Sequence, residues 1–415
     1  MMRMERRKNP VNRIFTKKII TSVIFLIFLM FFSIQNFKVE YNTVKEVLKK
    51  QELSLDAASK TIKSIESTIN ENIYGRYKFI DGYGYLQKLM DKNEEANFEV
   101  VKDNQGFMHY TFITYQANPV YNIVNRTQAF KEGLKNNNTK FVYLMTPDKY
   151  IRGYSELPKG IPYNYANETA DDFLKLLNQR EIDTIDLREN LTESGIPLDE
   201  LFFKTDHHWR IETVFWEFGQ LVNKLNKTYN MNLNSNGFYT NKENYNFIKY
   251  KNSYVGSMGR KSGAYYDGID DFTLVYPKFK TSYIYYSKTG DQEATLEGRF
   301  EEALLTVSPF RTKKGVYALE GDKYSTYLFG NRGIVHVQNK NNPGGPKVLF
   351  IKDSLAVPLA AFLSTVCSDV YLIDPRYYKE DIPNFVNEID DLDFVFMSFS
   401  PQDLTEEFFP FYKEK

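Results

Sequence analysis

Two stretches of this chain hold residues that could do chemistry together. The first, "LFFKTDHHWRIET" from Leu201 to Thr213, sets Asp206, His207, His208 and Trp209 side by side in a chain with only four histidines. The second, "KVLFIKDSLAVPLAAFL", passes from one apolar run through Asp353 and Ser354 into another. A serine hydroxyl is a weak nucleophile until an imidazole within hydrogen-bond reach takes its proton, and a carboxylate must then orient that imidazole and stabilise its charged form. Asp206, His208 and Ser354 supply one residue for each role.

Other uses of the same residues stay open at this point. An acid beside two histidines suggests a metal site, but adjacent side chains on a helix diverge by about 100°, so His207 and His208 cannot share an ion as an i, i+4 pair can. No Asp-x-Asp pattern ends a strand upstream, and no metal is expected. The bland alternative makes Thr205 or Asp206 the N-cap of a helix with both histidines in its first turn, because acids are favoured there in any protein. Asp353-Ser354 before an apolar helix is open to the same capping reading.

The elements around these residues decide how they could meet. Ile211, Val214, Phe215, Phe218, Leu221, Val222 and Leu225 recur at three- and four-residue steps, which predicts an amphipathic helix from Trp209 onward. Five short apolar runs, "FVYLMTP", "DTIDL", "KVLFIKDS", "DVYLIDP" and "FVFMSFSP", do not alternate in polarity. Such runs are strands buried on both faces, as in a parallel sheet between helical layers. Their polar ends, Pro147 to Lys149, Asp186, Asp353 with Ser354, Asp374 to Arg376, and Ser398 with Ser400, should line one rim, where open α/β sheets bind ligands. Ser354 would then sit at a strand-to-helix turn, with backbone amides at a helix N-terminus facing any oxyanion. The stretch from about 230 to 338, rich in Tyr, Gly, Lys and Asn, reads as a β-rich insertion.

Composition narrows the setting. Lys+Arg and Asp+Glu both number 53, so no basic excess points to nucleic acid. Arg6, Arg7, Lys8, Arg13, Lys17 and Lys18 precede an apolar run, and residues 17–37 reach the ~20 needed to cross a bilayer. Cations on that side keep residues 1–16 in the cytoplasm and leave the remainder outside. No small-x-small cleavage pattern follows, so the segment reads as an uncleaved signal anchor of a bacterial cell membrane. Residues 38–73 lack Gly and Pro and read as a helical stalk, with a globular domain over 74–415. Cys367 is the only cysteine, so no intrachain disulfide is possible, and it reads as a small buried hydrophobe. His109 and His336 have no partner motif and are read as structural.

From about Tyr74 to the C-terminus the chain resembles the DHHW proteins and the alginate O-acetyltransferase-like proteins, a branch of the SGNH hydrolase superfamily. The resemblance rests on "MTPDKYIRGYSELPKGIP", "LFFKTDHHW", "YVGSMGRKSGAYYDGIDDFTLVYPKF", "KVLFIKDS" and "YLIDPRYY", in that order. It implies a three-layer α/β/α domain with a parallel central sheet, Asp206 as orienting acid, His208 as general base and Ser354 as acyl-accepting nucleophile. His207 takes the variable position between them. It also implies transfer of an acetyl group to hydroxyls of a cell-surface or secreted polysaccharide, with no bound cofactor. The acetyl donor would be supplied indirectly, by a membrane-bound O-acyltransferase partner.

One departure stands out: the serine block of that superfamily reads Gly-Asp-Ser, and here it is Lys352-Asp353-Ser354. The lost glycine gave the backbone room beside the substrate. "VGSMGRKSG" could compensate through Gly256 and Arg260, or could be a glycine-rich turn. Asp353, Trp209 and Arg376 complete the candidates for holding substrate or oxyanion, although Arg376 could equally pair with Asp374. An esterase with the same triad, or a non-catalytic polysaccharide-binding or assembly protein, are the other functional classes this sequence allows.

Overall fold

Phe141, Tyr143 and Met145 face one side of their strand, Val142 and Leu144 face the other, and all five are buried. A strand covered on both faces needs no polar alternation, which is why the apolar runs are continuous. The computed structural model describes residues 10–49, 62, 65–66, 69–70, 73–111, 114–311, 319 and 321–412. Two units separate, Met1–Tyr83 and Gly84–Lys415.

The strands in chain order are β1 (Glu94–Glu95), β2 (Val100–Lys102), β3 (Met108–Tyr110), β4 (Lys140–Met145), β5 (Asp183–Asp186), β6 (Tyr245–Tyr254), β7 (Asp270–Pro277), β8 (Tyr283–Thr289), β9 (Gln292–Gly298), β10 (Ile334–Asn339), β11 (Lys347–Lys352), β12 (Asp369–Ile373) and β13 (Phe394–Ser398). The helices that matter here are α1 (Pro10–Lys49), α2 (Tyr121–Glu132), α3 (Ala166–Gln179), α4 (Ile211–Tyr229) and α5 (Ala356–Leu363).

The five apolar runs are neighbours in one eight-stranded sheet of order β5-β4-β13-β11-β12-β10-β8-β9. The first five strands are mutually parallel. The sheet is nevertheless mixed, which corrects the expectation of a parallel one. β10 pairs antiparallel with β12, β8 with β10 and β9 with β8, so part of the insertion extends the central sheet. A hairpin such as β8–β9 needs only a tight turn, whereas parallel neighbours need a crossover connection. β8 alternates buried and half-exposed residues, the mark of a sheet covered on one side only there. The remaining insertion strands, β6 and β7, form a separate ribbon whose register shifts between Tyr250 and Tyr254. That irregularity re-aims the end of the ribbon.

Two buried clusters flank the sheet. One joins α4 and α5 to Val142, Phe350 and Phe396, and the other joins α2 and α3 to Tyr143, Leu349 and Met397. This is the α/β/α sandwich. α4 crosses α5 through Phe215 and Phe362, whose rings meet edge to face at 5.4 Å. α4 begins at Ile211 with Arg210 in extended conformation and stops at Asn230 in left-handed conformation.

In the N-terminal unit, α1 contains a stretch, Ile14–Lys38, long and apolar enough to cross a membrane. Half of the expected stalk, residues 38–73, lies outside the described residues. Its start continues α1 to Lys49, and at its end the Tyr74 amide donates to Asn36 Oδ1 at 2.7 Å, so the chain returns to α1.

One residue of α4 breaks the apolar pattern. Glu217 is buried with one carboxyl oxygen unpartnered, and burial pushes its carboxyl up to about 9. A raised folded value contributes stability below the unfolded value of 4.5 that is lost as pH rises toward 9. Glu217→Gln is therefore expected to melt higher than the parent at pH 8 to 9, with the gap closing near pH 4.5. Thermal unfolding across pH checks this, and a gap that does not grow with pH contradicts it.

Candidate active site

The Asp-His-His-Trp segment is not the first turn of a helix. Phe202 bridges antiparallel to Trp209, the Phe203 amide donates to His208 O at 3.2 Å, and the Arg210 amide donates to Leu201 O at 2.9 Å. Residues 203–208 thus form a closed loop ahead of α4, and the cap position is Arg210. The capping readings of Thr205 and Asp206 fail for this reason. Thr205 binds Asp270 instead, through its amide (2.8 Å) and its hydroxyl (2.6 Å).

Within the loop Asp206 reaches back to His208. Its Oδ1 accepts from the His208 amide at 3.1 Å and from His208 Nδ1 at 2.6 Å. The other ring nitrogen, Nε2, lies 2.8 Å from Ser354 Oγ. An ionised Asp206 fixes the proton on Nδ1, which leaves Nε2 free to accept the serine proton. Burial alone would raise the Asp206 carboxyl, but the charges and hydrogen bonds of His208 and His207 outweigh it and hold the group well below the usual carboxylate range. Burial, then the charge of His207, lowers His208 against the pull of Asp206, so the imidazole is neutral at pH 7.

Other elements hold the acid in place. Its Oδ2 accepts from Tyr254 OH and from the Ser257 amide, both at 2.7 Å. Tyr254 comes from the end of β6 after the register shift, and Ser257 from the glycine-rich "VGSMG". A Cβ at Gly256 would overlap the Asp206 side chain and the Thr205 carbonyl, so only glycine lets this segment approach. The amides of Met258 and Gly259 donate to Thr205 O. Lys149, buried at the end of β4, donates to the carbonyls of Lys204 (2.8 Å) and Asp206 (2.7 Å). Burial pushes its ammonium down to about 8.

The His208 imidazole is held from its face. The Tyr324 ring stacks on His208 with centroids 3.7 Å apart and planes 12° apart. Tyr324 OH accepts from Trp209 Nε1 at 2.8 Å and donates to Leu355 O at 3.1 Å. Trp209 is completely buried, so it braces this contact and does not face a substrate.

Ser354 follows β11 and precedes α5, at the expected strand-to-helix turn. Asp353 clamps that turn, accepting from the Leu355 amide (2.8 Å) and from the Ser400 amide (2.6 Å) after β13. Lys352, in the place of the superfamily's glycine, turns away to bind Asp374 at 2.9 Å and Asn331 at 2.7 Å. Arg376 grips the same Asp374 with two hydrogen bonds of 2.9 and 2.7 Å, the pairing alternative for this residue. Gly256 and Arg260 belong to the acid end: the Gly256 amide is spent on Thr205 Oγ1 and Arg260 contacts Val255 O. The Ser354 amide, by contrast, donates to no acceptor among the described residues.

His207 Nδ1 lies 3.1 Å from Ser257 Oγ and 3.2 Å from Asp206 Oδ1. Ligand atoms of Asp206, His207 and His208 fall within 4.8 Å of one another, closer than a helix would allow, but both nitrogens of His208 already face Asp206 and Ser354. His109 and His336 each bind a carboxylate, Asp103 at 2.9 Å and Asp369 at 2.8 Å, away from these residues in the chain. Tyr254, Ser257, Tyr324 and Lys149 were not foreseen as site residues. Tyr254 and Ser257 lie in "YVGSMGRKSG" and Lys149 in "MTPDKY", while Tyr324 lies outside every quoted motif, and tyrosines are too abundant in the insertion for two to be singled out by type.

Residues 107–213 match the family model described as an SGNH hydrolase-like domain, acetyltransferase AlgX. The match takes in Asp206 and His208 and ends before Ser354. No curated protein sequence matches the chain. Among solved structures, a DHHW family protein from Eubacterium siraeum superposes with TM-score 0.55 at 16% identity, covering 76% of this chain and 96% of its own. Bacillus cereus PatB1 with a sulfonyl adduct gives TM-score 0.55 at 18% identity, covering 76% and 97%. These likenesses establish the fold.

The electrostatics predict how the imidazole titrates. His208 should titrate below 6.5, and Asp206→Asn should lower it further, because the Asp206 charge favours the imidazolium. Ring-nitrogen chemical shifts against pH check both; a rise in Asp206→Asn would contradict the arrangement. Because His208 and His109 are both depressed, their contribution to stability is present above 6.5 and lost as pH falls through the folded values.

Proposed function

We propose, from the premise that this chain carries an SGNH hydrolase-like domain, that it is an O-acetyltransferase acting on hydroxyls of a cell-surface or secreted polysaccharide. The observation that supports this most is the unbroken line of hydrogen bonds from Asp206 through His208 to Ser354.

Ser354 Oγ attacks the acyl carbonyl of the donor as His208 Nε2 takes its proton, forming a C–O bond and a tetrahedral oxyanion. The uncommitted Ser354 amide supplies one donor to that oxyanion. Collapse expels the donor's leaving group, which takes the proton from His208, and leaves an acetyl ester on Ser354. A sugar hydroxyl then gives its proton to the same Nε2 and attacks the ester, forming the new C–O bond, and Ser354 Oγ leaves and takes that proton back from His208. Asp206 stays ionised throughout and balances the imidazolium. No bound cofactor enters the scheme.

Ile14–Lys38, preceded by Arg13 and followed by the globular domain, fits a single-pass anchor of a bacterial membrane with the domain outside. Acetyl-CoA is cytoplasmic, so an external transferase needs a membrane-bound O-acyltransferase to pass the acetyl group across. Removal of acetyl groups by the same residues differs only in whether water or a sugar hydroxyl attacks the ester.

The test is turnover of a chromogenic acetyl ester by the parent, Ser354→Ala and His208→Ala, with acid quenching to trap acetylated Ser354. The variants should lose ~10³-fold or more in kcat/KM. Turnover should rise with pH through a value below 6.5, the depressed His208 value. Folded variants as active as the parent would sink the proposal. Adding a polysaccharide acceptor should divert acetyl from water to sugar; hydrolysis undiminished by every acceptor would leave an esterase.

A further inference from the structure

A cleft of about 280 Å³ opens where β4 and β5 end, on the rim that also carries Ser354. None of its lining takes part in the chemistry above. Its wall is the strap Pro147–Arg152, whose central residue, Lys149, holds the carbonyl of Asp206. Asp148 and Tyr150, on either side of Lys149, both line the cleft. Gln402, close to the Asp148 carboxyl, follows Ser400, whose amide holds Asp353 beside Ser354. The cleft is thus tied to both the acid loop and the serine turn.

Its chemistry is selective. Asp148 is 5% exposed; Oδ1 accepts from the Tyr150 amide at 2.7 Å, while Oδ2, although the Gln402 side chain lies beside the carboxyl, makes no hydrogen bond of good geometry. A buried carboxyl oxygen without a donor is costly, and a ligand O–H is the group that would satisfy it. The two arginines of the lining are already paired. Arg188 binds Asp186 (2.7 Å), Asp171 (2.8 Å) and Asn167, and Arg152 binds Asp171 (2.6 Å). Acids outnumber them, with Asp148, Asp171, Asp186 and Glu189 all on the wall. An anionic ligand would meet excess negative charge and no free guanidinium. The half-buried Tyr150 ring adds an apolar face for C–H groups.

We propose that this cleft is a subsite for the polysaccharide acceptor and that it takes a neutral, hydroxyl-rich sugar unit, not a uronate. Its role as an acceptor subsite rests on the transferase reading above; the binding itself does not. A sugar hydroxyl donates to Asp148 Oδ2 while the ring packs on Tyr150.

The experiment uses the full chain in detergent carrying Ser354→Ala, so that bound glycan is not turned over. Affinity is measured by calorimetry for a panel of neutral hexose and N-acetylhexosamine tetramers and for tetragalacturonate. Neutral tetramers should bind, the uronate at least about tenfold more weakly. The near-isosteric Asp148→Asn should weaken neutral binding about tenfold, and Tyr150→Leu should weaken it too, with melting temperatures showing both remain folded. Equal or tighter binding of the uronate overturns the proposal, as does absence of neutral binding or indifference to both variants. Specific neutral binding by a protein whose parent never transfers acetyl would keep the cleft and sink the transferase reading alone.

Discussion

A single buried negative charge organises the site. The Asp206 carboxylate is 1% exposed, and an anion withdrawn from water that far persists only if donors saturate it. Those donors come from three places in the chain: the acid's own loop gives His208 and His207, the bulged end of β6 gives Tyr254, and the glycine-rich turn gives the Ser257 amide. Take one away and the remaining electrostatics shift, because the depressed acid and the neutral imidazole depend on each other. The loop therefore has to be closed before α4 begins.

The ribbon β6–β7 has a reason for being irregular in this light. A regular hairpin would carry its side chains past the loop at fixed spacing, whereas the register shift lets Tyr254 swing onto Asp206. The following segment wraps Thr205: Gly256, Met258 and Gly259 donate to it, and Asp270 at the start of β7 binds it from the other side. The insertion is thus part of the site's scaffold. A second buried set, Lys352 and Arg376 on Asp374, does the same for the serine side by tying the ends of β11 and β12. Lysine at the glycine position is tolerated because its side chain has a carboxylate waiting on the next strand.

Much of this was legible in the sequence, for a physical reason. The five strands announced themselves because both faces are covered, and α4 because one face is. Ser354 at a strand end and Asp206 with His208 in a single segment were visible as residue types in context. The start of α4 was misread because hairpin closure between Phe202 and Trp209 lies in backbone pairing that residue types do not display. The antiparallel edge was missed because β8, β9 and β10 fall in the stretch read as an insertion, and residue types do not show which sheet an alternating strand such as β10 joins. Tyr324 and Tyr254 were hidden because stacking on His208 and binding Asp206 are relations between distant segments, and each is one tyrosine among 31.

The gradient of exposure along the site carries a further consequence. Asp206 is sealed, while His208 and Ser354 lie nearer the surface, and His207, beside them, is the most open of the four, with 29% of its side chain exposed. The open part of the site is therefore the side of His207, His208 and Ser354, and Asp206 lies behind them. In the proposed reaction a proton taken from Ser354 would stay on Nε2, since the Asp206 carboxyl is held well below the usual carboxylate range. In that reaction the charge formed on His208 would sit between a fixed anion and the incoming group, and would be discharged toward the open side. Burial of the acid thus gives the proton path its direction, and the donors gathered around Asp206 are what make that burial possible.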